Sequence, residues 1–202
     1  MLLFNYSTLV DPILKEVRTC VVELSGVKAG DRVLDVCCGT GEQVFHYAQK
    51  GAVATGVDQE PNMIEVAERS SKRRGFKHST FRLASATELP FPDGYFDCAS
   101  ISLGLHEMER EERNRAVSEM KRVVKKEGVL MFIDFQVPLP KNYFAYLIRA
   151  VEFLAGRDNY ACFTDYLAQG GLKRILKENR LVPQKEALLL RGNLQVIKAR
   201  NP

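Results

Sequence analysis

The chain has 202 residues, with 29 basic and 25 acidic side chains that give a net charge of +4 at pH 7. This length suits one domain, because a single hydrophobic core can grow to roughly 250 residues before chains tend to divide. An apolar share of 46% with 27% charged residues excludes a disordered chain, and so weak a net charge does not indicate a nucleic-acid partner. No apolar run reaches the ~20 residues that span a bilayer, and the first residues lack the features of a signal peptide, so we expect a cytoplasmic protein.

The cysteines form an odd and scattered set, namely Cys20, Cys37, Cys38, Cys98 and Cys162. None of them shows the CxxC spacing of zinc or redox sites, and two adjacent cysteines suit neither a chelate nor an easy disulfide. We therefore expect reduced cysteines that are buried as small apolar residues, and we predict no metal site.

Short apolar runs alternate with longer segments of helical spacing, which is the pattern of a parallel sheet covered on both faces. The first helix is predicted to open at Asp11-Pro12, since Asp caps helices and Pro suits their first turn, and to end at Gly26. A strand at 32–36, a helix to about 50, a strand at 53–58, a helix to about 74 and a strand at about 80–83 are predicted next. A strand at 98–102, a charged helix at about 109–125 and a strand at 129–135 follow.

The pattern changes after Pro138. Two helical stretches, at about 143–155 and 164–178, precede two strands at about 182–190 and 194–199, which a turn at 191–193 joins as a hairpin. The sheet would therefore be mostly parallel, with one antiparallel strand at its end. We expect a single domain over residues 1–202, in which residues 138–180 form a helical cap.

The loop that follows the first strand, DVCCGTG at residues 35–41, lies where open α/β sheets bind ligands. Its glycines let the backbone approach a ligand closely, although such a turn also fits a plain connection from strand to helix. The dinucleotide motif GxGxxG would need a third glycine where Val44 stands, and the Lys-Ser/Thr of a phosphate-binding loop is absent. Asp35 would repel a pyrophosphate but attract a ligand with an ammonium group, such as S-adenosylmethionine.

Further positions are predicted to contact the same ligand. Asp58 ends the second strand, where an acid can accept hydrogen bonds from ribose hydroxyls, and Gln59 follows it. Met63, early on the next helix, would pack either on the adenine or in the core. Ser85 and Ala86, after the third strand, would face the adenine edge or cap a turn.

At these residues the sequence resembles the class I S-adenosylmethionine-dependent methyltransferases, particularly the ubiquinone/menaquinone-biosynthesis type. The resemblance is carried by VLDVCCGTG, GVDQEPNMIEVA, LPFPDGYFD, EMKRVVKKEGVLMFIDF and YLAQGGLKRILKENRL, in the family's order over about residues 30–200. It implies a Rossmann-like, doubly wound α/β sheet of seven strands in the order 3-2-1-4-5-7-6, with the last strand antiparallel. It also implies that Asp35, Gly39 and Gly41 shape the methionine side of the pocket, and that Asp58 binds the ribose.

The chain departs from the family's pattern at two of these positions. Cys37 stands where members usually have Gly or Ala, which would tighten or displace the loop, and Ser85 stands where many have Asp near the adenine amino group. A serine hydroxyl still accepts a hydrogen bond, but without charge assistance. The predicted cofactor contacts are Asp35, Cys37, Gly39, Gly41, Asp58, Gln59, Met63, Ser85 and Ala86.

Methyl transfer is an in-line displacement, so holding the acceptor in line in a dry pocket can supply much of the catalysis. His106, in SLGLHEM after the fourth strand, is predicted as a general base for an acceptor that must lose a proton, because histidine titrates near neutral pH. A capping or surface histidine is the alternative. Glu107 is assigned to the N-terminal charge of the next helix, and Asp134, at the end of the fifth strand, is another candidate contact.

Aromatic residues concentrate in the predicted cap, namely Tyr143, Phe144, Tyr146, Phe153, Tyr160, Phe163 and Tyr166. With Phe4 and Tyr6 they would either wall off an apolar acceptor pocket or pack as an ordinary amphipathic cap. The basic runs at 71–77 and 121–126 are interpreted as cations that favour helix C-termini, rather than as a surface that attracts RNA or membranes.

We therefore expect methyl transfer from S-adenosylmethionine, with S-adenosylhomocysteine as product, to a small, apolar or aromatic acceptor. An NAD-dependent oxidoreductase is one alternative, which Val44 and Asp35 disfavour. A non-catalytic nucleotide-binding module is another, because this chemistry requires no obligatory nucleophile. The expected partner is a small-molecule substrate, without nucleic acid and without a membrane span.

Overall fold

The computed structural model describes residues 11–202, with side chains from Leu14 onward. Its seven strands form one sheet in the order β3-β2-β1-β4-β5-β7-β6. The strands are β1 Arg32–Val36, β2 Val53–Asp58, β3 Ser79–Leu83, β4 Phe96–Ser102, β5 Val124–Phe135, β6 Pro183–Leu189 and β7 Leu194–Arg200. Neighbouring strands among β1 to β5 pair in parallel, whereas β7 pairs antiparallel with both β5 and β6. The predicted strand order and the antiparallel last strand are confirmed.

Seven α-helices are described within residues 11–202. They are α1 Asp11–Ser25, α2 Glu42–Gln49, α3 Pro61–Arg74, α4 Arg110–Val123, α5 Tyr143–Leu154, α6 Arg157–Gln169 and α7 Gly171–Glu178. The single helix predicted over 164–178 is wrong, because the chain forms two helices there and the first begins at Arg157. Gly170 lies between them and Gly171 begins the second, with φ angles of +98° and +63° that glycine adopts without a steric penalty.

Strand β5 begins earlier than predicted. Helix α4 ends at Val123 and the chain passes directly into the strand, where Val124 pairs with Phe96. Both side chains are buried, so apolar packing extends the strand into a segment whose two lysines and glutamate had suggested the end of a helix. A register shift between Phe96 and Cys98 accommodates this extension.

The centre of the sheet is almost wholly apolar, as expected of parallel strands that are covered on both faces. Val33, Leu34, Ala99, Ile101 and Phe132 are completely buried in β1, β4 and β5. In register, Val36 lies beside Val57 of β2 and Ile101 of β4, so the carboxyl ends of these three strands meet at one edge. The loops that leave this edge are the ones that build the site.

All five cysteines lack a disulfide bond. Cys38 and Cys98 are buried as predicted, whereas Cys20, Cys37 and Cys162 are half-buried. Within the described range, every helix falls short of the length and apolar character that crossing a membrane would need. The predicted contributions of Phe4 and Tyr6 lie outside the described residues.

Candidate functional site

A cavity of about 450 Å³ lies at the carboxyl edge of the sheet. Eight of the predicted cofactor residues line it, namely Asp35, Cys37, Gly39, Asp58, Gln59, Met63, Ser85 and Ala86. Gly41 is the ninth predicted residue and lies behind the wall, where it precedes α2 with φ +83°. A Cβ at Gly41 would come within 2.7 Å of the Phe81 ring, so this glycine permits close packing beneath the loop.

The backbone of the loop after β1 borders the cavity directly. A Cβ at Gly39 would meet no atom within 4 Å, so the space beside this residue is open to a ligand. Cys37 adopts φ +57°, a left-handed conformation that costs a residue with a side chain about 1–2 kcal/mol. Cysteine therefore holds the conformation that glycine would hold without strain, which gives a physical reason why glycine suits this position.

Asp58 connects the loop to the end of β2. Its Oδ2 accepts a hydrogen bond from the Gly39 N–H at 2.8 Å, and its Oδ1 accepts one from the Glu60 N–H at 3.0 Å. Each carboxylate oxygen can accept more than one hydrogen bond, so acceptor capacity remains on the cavity side. The same carboxylate can thus fix the loop and bind a hydroxyl group of a ligand.

Asp35 is buried, and its Oδ1 accepts a hydrogen bond from the Ser100 hydroxyl at 2.6 Å. Burial raises the pKa of this carboxyl to about 7, although the hydrogen bond from Ser100 and the charge of Arg18 act in the opposite direction. A buried carboxylate with so high a pKa is poorly solvated. A cationic ligand that reaches the cavity would therefore favour its ionised form.

The sequence left two alternatives for each of Met63 and Ser85, on the predicted adenine side of the site. Met63 is 37% exposed and lines the cavity, so it does not belong to the core. Ser85 Oγ accepts a hydrogen bond from the Thr87 N–H at 3.2 Å, which makes it a turn cap. Because Ser85 also lines the cavity, the capping role and a ligand contact are compatible.

His106 lies behind the cavity wall rather than on it. Its Nδ1 is 2.7 Å from Asp134 Oδ1, its backbone N–H donates to Asp134 Oδ2 at 3.2 Å, and its Nε2 is 3.6 Å from Glu152 Oε1. The imidazole is 2% exposed and packs among the rings of Phe135, Phe163 and Tyr166. Among the described residues that line the cavity, its neighbours Glu107 and Met108 are present and His106 is not.

The two carboxylates determine the charge of this imidazole. Burial alone would lower the pKa of His106, but the charge of Asp134 and hydrogen bonds to Asp134 and Glu152 outweigh it and raise the pKa to about 10. The two carboxylates therefore favour the imidazolium form of His106 at neutral pH. It joins the loop after β4, the end of β5 and helix α5 through buried ionic contacts.

Several cavity residues were not predicted. Glu107 lies in a short 3-10 helix, Leu105–Glu107, and faces the cavity instead of starting α4, which begins at Arg110. Burial raises the pKa of Glu107, and the His106 charge partly offsets this effect. The other unpredicted residues include Arg18 of α1, Leu103, Gly104 and Met108 after β4, and Asn159 of α6. The residues after β4 follow a strand that ends at the binding edge, and that signal was available in the sequence.

Comparisons with known proteins agree with this geometry. A family model described as a methyltransferase domain matches residues 33–128. The ubiquinone/menaquinone biosynthesis C-methyltransferase UbiE of Francisella tularensis subsp. holarctica is 36% identical over 139 residues, which cover 64% of this chain and 54% of that protein. The chain thus spans about half the length of this relative.

Two further proteins cover more of the chain. An uncharacterized methyltransferase of Synechocystis sp. is 28% identical over 179 residues, which cover 89% of this chain and 80% of that protein. The crystal structure of a SAM dependent methyltransferase from Aquifex aeolicus superposes with a TM-score of 0.74 and covers 98% of this chain and 97% of that one. Its sequence identity is 18%, so this likeness concerns the fold alone.

Proposed function

We propose that this chain, whose residues 33–128 match a methyltransferase domain and which is similar to named methyltransferases, transfers a methyl group from S-adenosylmethionine to a small, apolar or aromatic acceptor. The observation that carries the proposal is the cavity at the carboxyl edge, where the glycine loop, Asp35 and Asp58 converge. The name of the similar UbiE protein supports an acceptor with a quinone-type ring. The five unbridged cysteines support the reducing environment of the cytoplasm.

The residues present fit this cofactor. Open space beside Gly39 leaves room for the ligand against the loop backbone. Asp35 would hold the ammonium group and Asp58 a ribose hydroxyl, while Met63 and Ser85 would contact the adenine. When bound, the cofactor supplies a methyl group on a positively charged sulfur, and two carboxylates in the cavity suit that charge better than they suit a phosphate.

The cavity residues that follow β4 and end β5 would hold the acceptor. Leu103, Met108 and Ile133 give this part of the cavity apolar walls, which exclude water and favour an apolar molecule. Glu107 and Asn159 also line the cavity, and they would orient a hydroxyl group of the acceptor. Holding the acceptor in line is the main contribution that we assign to these side chains.

A catalytic role for His106 stays a prediction. In the arrangement described, an imidazolium with a pKa of about 10 already carries its proton at neutral pH. We therefore assign His106 a positioning role, in which it holds the loop that carries Glu107 against β5 and α5. Glu107, which lines the cavity, is the better placed group to accept a proton.

Calorimetric titration of the full chain with S-adenosylmethionine, S-adenosylhomocysteine and NADH tests the proposal. We expect the first two to bind and NADH not to bind, and we expect release of S-adenosylhomocysteine in the presence of hydroxylated aromatic acceptors. NADH binding in place of the other two would contradict the cofactor assignment. Cofactor binding without turnover on any acceptor would indicate the non-catalytic module instead.

Replacing Asp35 with Asn should weaken S-adenosylmethionine binding about tenfold, since the loss of one charged contact costs ~1.4 kcal/mol or more. The affinity of the unchanged protein should also fall as the pH drops below about 7. The pKa of Asp35 is raised to about 7, so protons compete with the ammonium group of the cofactor for this carboxylate. Titrations across this range, with Asp35→Asn as the pH-insensitive comparison, check both effects. An equal affinity in the two proteins would show that Asp35 does not bind the cofactor.

The same substitution should stabilise the free protein. The pKa of Asp35 is raised from 3.8 to about 7 on folding, so its ionisation costs no stability below pH 3.8 and an increasing amount as the pH rises through 7. Asparagine keeps an acceptor for the Ser100 hydroxyl without a charge to desolvate. A gain of ~1–2 kcal/mol in unfolding free energy at pH 8 is expected in urea titrations.

A further inference from the structure

Helix α5 exposes an apolar stripe to solvent. The stripe consists of Tyr143, Tyr146, Leu147, Val151 and Leu154, which are 76%, 68%, 45%, 49% and 80% exposed. These positions follow the three- and four-residue spacing of one helix face, which in a globular protein normally packs on the core. Here the core-facing side is formed by other residues, and so large an exposed apolar face marks an interaction surface.

The helix is held in place from its inner side. Asn142 caps it, accepting a hydrogen bond from the Ala145 N–H at 3.0 Å. Glu152 points inward, 3.6 Å from His106 Nε2, and the Arg191 guanidinium lies 5.4 Å from the centre of the Phe144 ring. The stripe is therefore the outer face of an anchored helix. The contacts that fix the orientation of α5 are made by residues outside the stripe.

The charges around the stripe are mostly positive. Lys141, Arg149, Arg157 and Arg191 are exposed along the helix and at its two ends. Glu152 is buried, which leaves Asp158 as the exposed acid between residues 141 and 158. An apolar face bordered by cations is complementary to a surface in which hydrocarbon lies beneath a layer of anionic groups.

We propose that α5 docks this protein onto an anionic lipid surface, with the helix lying in the membrane plane. The aliphatic side chains would enter the acyl boundary, the two tyrosines would lie at the interface, and the cations would meet the headgroups. Its 12 residues reach about 18 Å at ~1.5 Å per residue, which is shorter than the ~30 Å hydrocarbon core, so the helix lies along the membrane.

A second copy of the chain fits the stripe less well. A twofold contact places the same surface on both sides, so antiparallel α5 helices would bring Lys141 of one copy near Arg157 of the other. This repulsion favours an anionic partner over self-association.

The docking surface adjoins the candidate site. Helices α5 and α6 contact each other, and α6 contributes Asn159 to the cavity. Docking would therefore bring the cap of the cavity against the lipid, where a lipophilic acceptor could enter; this consequence, unlike the docking itself, rests on the proposed function.

Vesicle co-sedimentation of the full chain tests the docking. The vesicles are phosphatidylcholine alone, or phosphatidylcholine mixed with phosphatidylglycerol. The variant Leu147→Glu/Leu154→Glu places two acids on the stripe. The control Val66→Glu/Val182→Glu adds the same charge at side chains of similar exposure, 41% and 74%, outside α5.

We expect the unchanged protein and the control to bind the anionic vesicles in a salt-sensitive way, and the α5 variant to bind at least about tenfold more weakly. Arg149→Gln should weaken binding about fivefold, and Arg73→Gln on α3 should leave it unchanged. Equal binding of the α5 variant and the control, or no binding by the unchanged protein, would overturn the proposal. So would a dimer that the α5 variant dissociates without any vesicle binding, because a second copy would then cover the stripe.

Calorimetric titration of both variants with S-adenosylmethionine separates this result from the proposed function. Unchanged affinity in the α5 variant shows that the protein is folded and that its cofactor site is intact. Loss of vesicle binding in that folded variant then supports docking through α5. Absence of cofactor binding in the unchanged protein would contradict the proposed function without affecting the vesicle result.

Discussion

Replacing Asp58 with Asn should weaken S-adenosylmethionine binding by about 100-fold, the equivalent of ~2.7 kcal/mol. Both oxygens of the carboxylate accept backbone hydrogen bonds, from Gly39 at 2.8 Å and from Glu60 at 3.0 Å. An amide must turn its NH₂ group toward one of these N–H groups, so a donor would face a donor. The substitution thus removes the charged group that we assign to the ribose, and it should also displace the loop after β1.

Calorimetric titration of Asp58→Asn beside Asp31→Asn measures this effect. Asp31 also accepts a backbone hydrogen bond, from Lys28 at 2.8 Å, but it precedes β1 and does not line the cavity. The control should lose a little stability and keep its affinity, since its acid acts only on a local turn. An Asp58→Asn affinity within about threefold of the unchanged protein, a difference of only ~0.7 kcal/mol, would show that Asp58 does not bind the cofactor.

The side of the cavity that we assign to the cofactor could be predicted from the sequence, because its residues lie at strand ends. Asp35 and Asp58 each stand at the end of a strand, and parallel neighbouring strands place such ends at one edge. The local sequence pattern and the sheet topology were therefore sufficient to place these two carboxylates at one edge of the sheet. The conformation of Cys37 could not be predicted, because no sequence pattern indicates that this residue has a φ angle of +57°.

The side of the cavity that we assign to the acceptor depends on contacts between distant segments, which local patterns do not contain. Asn159 reaches the cavity only because α6 begins at Arg157, seven residues before the predicted helix at 164. Arg18 reaches it from a helix that precedes the first strand. Glu107 was assigned to a helix because acids favour helix N-termini. In the structure it lies instead in a 3-10 turn that lines the cavity. Asp134 holds this turn by accepting a hydrogen bond from the His106 N–H.

The His106–Asp134 pair should be the most sensitive point for the stability of the fold. Removing one partner of a buried ion pair leaves an uncompensated charge and typically costs about 3–5 kcal/mol. Asp134→Ala should reduce the unfolding free energy by about this amount, because it also leaves the N–H groups of His106 and Phe135 without the acceptor that they share. Urea unfolding at pH 7 measures the loss, and a loss below ~1 kcal/mol would contradict a buried charged pair.

The pH dependence of stability tests the charge on His106 separately from packing. Its pKa is raised from 6.5 to about 10 on folding, so its stabilising contribution is complete below pH 6.5 and is lost as the pH rises through 10. The unchanged protein should therefore lose several kcal/mol across this window, at ~1.4 kcal/mol for each pKa unit. His106→Gln should show a smaller loss on alkaline titration, whereas His78→Gln, at an exposed position, should follow the unchanged protein. If His106→Gln and the unchanged protein lose stability in parallel, the imidazole is neutral, and a role as proton acceptor becomes the better interpretation of His106.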